Sequence, residues 1–349
     1  MCYADNPWTV VMDGSKEVDA VFSPIVSTVR VIPDTTQGSV VSGEEFPFIH
    51  CDDSENSICI YGYSWDASIT LKAEPKPGYA FSHWEENGIT VSTEREYCFL
   101  VEGSRELVPV FEEFRLGFPL EDRVPYITEG QTAATVTAVM DHSLSGGYYT
   151  LDGRNSEIET YNGLVANGTE HDYGNGVYCY DIVGITPFSG IKYYYIYPEE
   201  NRSEICYDEH SGYDFDPLID YNPNQIDPDD GQLGNGHDIL ATADGKLYKD
   251  TTGIIYGISG WNSYHAFYIN HENGYYTWYL HCGRLTADIE DQIQTQGYAD
   301  VTQGQHIAEV AGYGPDGLNT YPDHLHFEIR LNGINPANLI DPYGENLWE

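Results

Sequence analysis

Short runs that alternate apolar with polar residues, cut by glycine and proline, set the tightest limit on what this chain can fold into. In Ser68-Ile-Thr-Leu-Lys-Ala-Glu-Pro75 and Gly78-Tyr-Ala-Phe-Ser-His-Trp84 every second side chain falls on one face. That period of two belongs to half-buried strands. Trp84 closes such a run and is expected in a core. Further on, aromatic-rich stretches such as Ile191-Lys-Tyr-Tyr-Tyr-Ile-Tyr197 alternate with glycine turns, and only Thr286 to Gln296 reads as a helix. The expected fold class is mainly β.

Comparison of the chain with itself finds one repeat. Gly14, Ser15, Glu17, Val21 and Phe22 recur as Gly103, Ser104, Glu106, Val110 and Phe111. An end that repeats without its beginning implies a unit cut short, and so a piece of a longer protein. The expected organisation is a remnant of one small β-repeat domain over 1–24, a complete repeat over 25–113, a strand-rich extension over 114–205 and a largely antiparallel β-sheet domain over 206–349. Residues 25–113 resemble the bacterial surface repeats of the internalin B type, through the Leu71-Lys-Ala73 and Gly78-Tyr-Ala-Phe-Ser-His-Trp84 elements and the final strand ending at Phe111.

The 349 residues carry 15 Lys plus Arg against 56 Asp plus Glu, a formal net charge of -41. A phosphate backbone would repel such a chain, so no nucleic acid partner is expected. Anionic membrane surfaces are disfavoured on the same ground, and with no run of eighteen apolar residues no membrane insertion is expected. With 41% hydrophobic and 14% aromatic residues, the acidity accompanies real cores and not a disordered tail. Seven cysteines include no CxxC pair, which argues against a cysteine metal or redox site. Cys51 and Cys59 bracket a polar loop, a place for a local disulfide that the sequence leaves open.

The chemistry gathers in three segments: His210-Ser-Gly-Tyr-Asp214, Tyr279-Leu-His281 and His324-Leu-His326. On an extended strand His324 and His326 point to the same side. Gly212 between His210 and Asp214 favours a turn entering a strand over a helix. Two imidazoles and one carboxylate make a mixed nitrogen and oxygen donor set of the kind that suits zinc with a fourth position open. Two histidines are then spare.

HxGxD, YxH and HxHFE in that order resemble the lysostaphin-type (LytM-like) zinc endopeptidases. Further matches stand at Asp238 to Gly245, Asn270 to Gly274, Gly304 to Ile307 and Gly333 to Pro336, so the resemblance covers Tyr207 to Pro342. It implies that His210, Asp214 and His326 bind one Zn2+ ion and that His281 and His324 are catalytic. It also implies peptidoglycan peptides as substrate and action outside the cell or at its surface. A narrow groove with Tyr279 and other aromatics near it is expected to favour Gly or Ala beside the scissile bond.

The sequence departs from that family in the acidic stretch 215–237, read as an insertion over the cleft rim. The stretch runs into Gly234-Asn-Gly-His-Asp238, which is HxGxD with Gly234 in the first histidine position. The intact copy at His210 is preferred, and His237 is read as a rim histidine. Asp220, Asp227, Asp229 and Asp230 do not meet the EF-hand pattern and are expected to be solvated. His50, His83, His142, His171, His265, His271 and His306 fall in no ligand-spaced set. His271-Glu-Asn-Gly-Tyr275 lacks the second histidine of HExxH, and Gly312-Tyr-Gly-Pro-Asp-Gly317 contains a proline and leads to no helix, so neither motif carries function. The competing expectation is a non-catalytic or auto-inhibited surface protein that binds or adheres to wall peptides, and the oligomeric state stays open.

Overall fold

The computed structural model describes residues 27–42, 49–50, 58–63, 68–138, 140, 170–172, 178–183, 192–193, 202–206, 210–217, 222–226, 236–251, 260–335 and 338–349. The 1–24 remnant, the paired copy at Gly14 to Phe22, Cys51 of the disulfide expectation, Gly234 and the carboxylates Asp220, Asp227, Asp229 and Asp230 lie outside them. The described residues are mostly strand, and the pairing is mostly antiparallel.

The first unit stacks two sheets. One holds β1 (Ser27–Val31), β4 (Ile58–Tyr63), β6 (Tyr79–Glu86), β7 (Ile89–Ser92) and β9 (Arg105–Glu113), with β3 (Ile49–His50) at its edge. The other is β2 (Gly38–Ser42), β5 (Ser68–Pro75) and β8 (Glu96–Leu100). Alternation in β5 buries Ile69, Leu71 and Ala73 against Val29, Val31, Phe81, Leu107 and Phe111. Trp84 is fully buried in that core, and its indole N–H donates to the Glu94 carbonyl at 3.1 Å.

The second unit is built on one long sheet. Its central order is β10 (Thr135–Ala138), β15 (Tyr213–Asp216), β23 (Leu325–Leu331), β19 (Tyr275–Leu280), β18 (Phe267–Asn270), β17 (Gly245–Lys249) and β21 (Ala299–Val301). The strands β11 (Glu170–Asp172), β12 (Tyr178–Val183) and β14 (Arg202–Cys206) continue it beyond β10, and β13 (Lys192–Tyr193) also pairs with β10. The described strands of segment 114–205 therefore share the sheet that carries the histidine motifs. A second layer of β16 (Asp238–Leu240), β22 (His306–Val310) and β20 (Cys282–Leu285) packs over it. The helix Ala287–Gln296 starts after Thr286 and ends at Gly297, whose φ of 88° is the left-handed conformation that glycine supplies without strain. A second, five-residue helix at Gly260–Tyr264 has no periodic signal in the sequence.

The two units meet at the end of β23 and at the β18–β19 turn. Asn332 takes the guanidinium of Arg95 on its side-chain oxygen at 3.1 Å and donates from Nδ2 to the Pro75 carbonyl at 3.0 Å. The Gly78 N–H donates to the Tyr275 hydroxyl at 2.8 Å. Gly274 sits at φ 115°, and a Cβ there would lie 2.5 Å from Pro75 Cγ, so this turn admits only glycine. At about 3.4 Å per residue, β23 holds this joint roughly 20 Å from His326.

Close to the joint, buried His271 lies with Nδ1 on the Asp244 carbonyl at 2.8 Å and Nε2 on the Thr277 hydroxyl at 2.9 Å. Burial pushes its pKa down to about 4, against the weaker upward pull of the Asp244 contacts. The unfolded chain takes up this proton near pH 6.5, so the stability His271 contributes is complete above that pH and is lost as pH falls toward 4. By about pH 4.5 the loss should reach about 2 to 3 kcal/mol. His271→Gln is expected to flatten this acid limb, as read from urea midpoints between about pH 7 and 4.5; an unchanged slope would remove His271 from the account.

Candidate metal centre and flanking histidines

Strand register brings the three segments together. β15 runs antiparallel to β23 with Asp214 directly opposite His326, and β19 flanks the other side with Leu280 opposite His326. His210 precedes β15 in irregular backbone and reaches back to Asp214. Gly212 makes this approach possible. A Cβ on it would lie 2.3 Å from the Phe327 carbonyl oxygen and 3.0 Å from His326 Nε2. Backbone cannot give way as a flexible side chain can, so Gly212→Ala is expected to pull His210 away from His326 and cost most of the metal affinity; unchanged binding in a metal titration would contradict that.

The donor atoms converge. His210 Nε2 lies 3.1 Å from Asp214 Oδ1, and His326 Nδ1 lies 3.0 Å from each of those two atoms. Among the described residues these three form the one group of His, Cys, Asp or Glu side chains with metal-holding spacing. Ligands about 2.0–2.2 Å from a tetrahedral ion stand roughly 3.3–3.6 Å apart, a few tenths of an ångström more than is found. Two imidazole nitrogens facing each other at 3.0 Å also need a proton or a cation between them. The donor set fits a divalent ion of the zinc class.

Burial alone would raise the Asp214 pKa, but the His210 and His324 imidazoles and the hydrogen bonds from His210 and His326 outweigh it and hold the carboxyl well below its usual range. It is therefore a carboxylate, as a metal ligand must be.

His281 and His324 flank the same point. His324 Nε2 lies 3.6 Å from Asp214 Oδ2, and the His281 ring centre is 4.7 Å from that of His324 and 5.9 Å from that of His326. Each ring is pinned through Nδ1 by a backbone carbonyl, His281 on Tyr313 and His324 on Pro322, both at 2.6 Å. An Nδ1–H donated this way leaves Nε2 with its lone pair. His281 follows β19 at φ 64°, an uncommon and strained conformation for a residue other than glycine. Burial, and after it the charges of His324 and His326, drive its pKa well below the ordinary imidazole value. His281 is thus neutral at ordinary pH.

One expectation about the groove needs correction. Tyr279 is fully buried on the core face of β19, stacked on Phe267 at 4.9 Å and bonded to Thr242 and Thr277. Alternation along β19 turns it away from the cleft. The aromatics beside His281 are instead Tyr321 at 4.7 Å and Tyr264 at 5.9 Å, together with Tyr313, which His265 backs with a ring stack at 3.6 Å. Tyr321 is 37% exposed and forms an open wall.

The second HxGxD-like copy leads elsewhere. Asp238 pairs across strands with Glu309 and meets His306 Nε2 at 3.3 Å, while His237 Nε2 lies 2.5 Å from the Glu121 carbonyl. Neither joins the His210, Asp214 and His326 group.

Residues 230–339 match the sequence profile of Peptidase family M23, and residues 61–114 match that of the Divergent InlB B-repeat domain. The part of the chain similar to M23 peptidases thus follows the part similar to an InlB-type repeat. The M23 match begins after His210 and Asp214, so the place of those two residues rests on the geometry above. Over 133 residues the chain is 29% identical to Peptidoglycan DD-endopeptidase ShyC of Vibrio cholerae, covering 36% of this chain and 28% of that protein. It thus spans little more than a quarter of that relative's length.

Among solved structures, the catalytic domain of lysostaphin from Staphylococcus simulans aligns over 52% of this chain and 92% of its own, at 16% identity and a TM-score of 0.26. The prophage-encoded M23 protein EnpA of Enterococcus faecalis, as a point mutant of its catalytic domain, aligns over 38% and 76% at 18% identity and a TM-score of 0.24. No helix among the described residues is long and apolar enough to cross a membrane.

Proposed function

We propose that this chain is a zinc-dependent endopeptidase that hydrolyses peptide bonds in peptidoglycan stems or cross-bridges, acting outside the cell or at its surface. The observation that carries the reading is the meeting of His210 Nε2, Asp214 Oδ1 and His326 Nδ1 beside His281 and His324, each tied through Nδ1 to a backbone carbonyl. The M23 match and the 29% identical relative named as a peptidoglycan DD-endopeptidase support the substrate class.

A zinc ion held by the three donors would polarise the scissile carbonyl and lower the pKa of water toward about 7. The chain's own residues handle the protons. His281, kept neutral chiefly by burial, accepts one from the attacking water at Nε2. His324, fixed through Nδ1 across the cleft, completes the pair that returns a proton to the leaving amine. Tyr321, Tyr264 and Tyr313 line the side by His281, where the substrate's side chains beside the bond would pass.

Digestion of purified stem peptides, followed by mass with and without a chelator, tests the proposal. Cleavage that stops on chelation and returns with zinc is expected. Intact peptides under all conditions would favour the binding or adhesion reading instead.

A further inference from the structure

Behind His326, on the side away from Asp214, lies a buried assembly that the chemistry above does not use. His326, Glu328 and Arg330 alternate along β23 and so share one face. Arg330 grips Glu328 through Nε at 2.9 Å and Nη2 at 2.5 Å, and both of these bonds go to Oε2. The third guanidinium nitrogen meets the Ile334 carbonyl, and the plane lies 4.2 Å from the centre of the Trp278 ring. Both side chains are 1% exposed. A purely structural ion pair gains most from a fork that uses both carboxylate oxygens. Here Oε1 is left out of it and turned to His326.

Oε1 accepts the Ser211 hydroxyl at 2.5 Å and lies 3.2 Å from His326 Nε2. His326 Nδ1 meanwhile faces His210 and Asp214. The two ring nitrogens are thus divided between an anion and the donor cluster.

We propose that Glu328, anchored by Arg330 and Ser211, is a positioning residue that holds His326 with Nε2–H donated to Oε1 and the Nδ1 lone pair aimed at the ion. This inference rests on the zinc-site reading above. A ligating imidazole whose other N–H is bonded to a carboxylate is fixed in tautomer and orientation and is more basic, an effect commonly worth about 10- to 100-fold in metal affinity. Ser211 and Gly212 tie the same device to the first ligand segment, because the stretch that brings His210 in also supplies the hydroxyl that steers Oε1.

The test is zinc affinity, measured by competition with a chromophoric chelator on the full chain. E328A is expected to bind zinc about 10- to 100-fold more weakly than the wild type, and E328Q, which keeps a carbonyl acceptor, to recover part of that loss. Because E328A strands the Arg330 charge and can unfold the chain, E328A/R330M removes the buried pair as a unit and should show the same weakening. In the zinc-loaded wild type the His326 Nε2–H should appear as a slowly exchanging, hydrogen-bonded proton resonance that E328A/R330M lacks. Wild-type affinity in E328A or in the double variant overturns the proposal, as does E328Q binding no tighter than E328A. Failure of the wild type to bind zinc at all would instead overturn the zinc-site reading.

Discussion

His281→Asn is expected to keep its full complement of zinc and to lose about 10²- to 10⁴-fold in kcat, equivalent to about 3–5 kcal/mol of barrier. Asparagine is the informative replacement, because His281 sits at φ 64°, where asparagine is among the better tolerated residues. Its side-chain amide can still donate toward the Tyr313 carbonyl that now receives His281 Nδ1. What the substitution removes is Nε2 and its capacity to take a proton. The ion stays because His281 contributes none of the three donor atoms. Metal analysis together with stem-peptide turnover checks both halves. A variant within tenfold of wild-type kcat would exclude His281 as the base, and one that loses its zinc would place His281 among the ligands.

Asp214→Asn and Asp238→Asn are expected to part completely. Both aspartates close an HxGxD-like run, yet only Asp214 faces His326 across the β15–β23 ladder. An amide in its place offers no negative charge to the ion and directs an N–H donor toward it in one orientation, so zinc binding and turnover should both vanish. Asp238 pairs with Glu309 in the second layer and meets His306, so Asp238→Asn should keep zinc at one ion per chain and most of its activity. Loss in Asp238→Asn with Asp214→Asn unaffected would mean that the second copy is the working motif.

How much of this could be read from sequence depends on the range of the interaction. Alternation is local, so β5 and β6, the buried face of Trp84 and the helix bounded by Thr286 and Gly297 were legible. The shared face of His324 and His326 follows from the same period. The union of His210 and Asp214 with His326 depends on strand pairing across more than a hundred residues, which no local pattern encodes; there the resemblance supplied what periodicity could not.

Tyr279 shows the opposite failure. Nearness to His281 in sequence suggested the groove, but β19 ends before His281, whose φ of 64° turns it away from the core face on which Tyr279 is buried. Tyr313, Tyr321 and Tyr264 entered the site unannounced, because loops and a five-residue helix deliver them and neither has a period. Glu328 and Arg330 did leave a trace: charged residues at two-residue intervals after His326, on a strand buried throughout, call for partners inside.

On the proposed reading, His210, Asp214 and His326 grip a single divalent ion. Anomalous diffraction at the zinc absorption edge, from crystals grown with zinc, tests it most directly. One strong peak per chain is expected, about 2.0–2.2 Å from His210 Nε2, Asp214 Oδ1 and His326 Nδ1. A peak beside Asp238 and His306 instead, or none at all with zinc supplied, would contradict it.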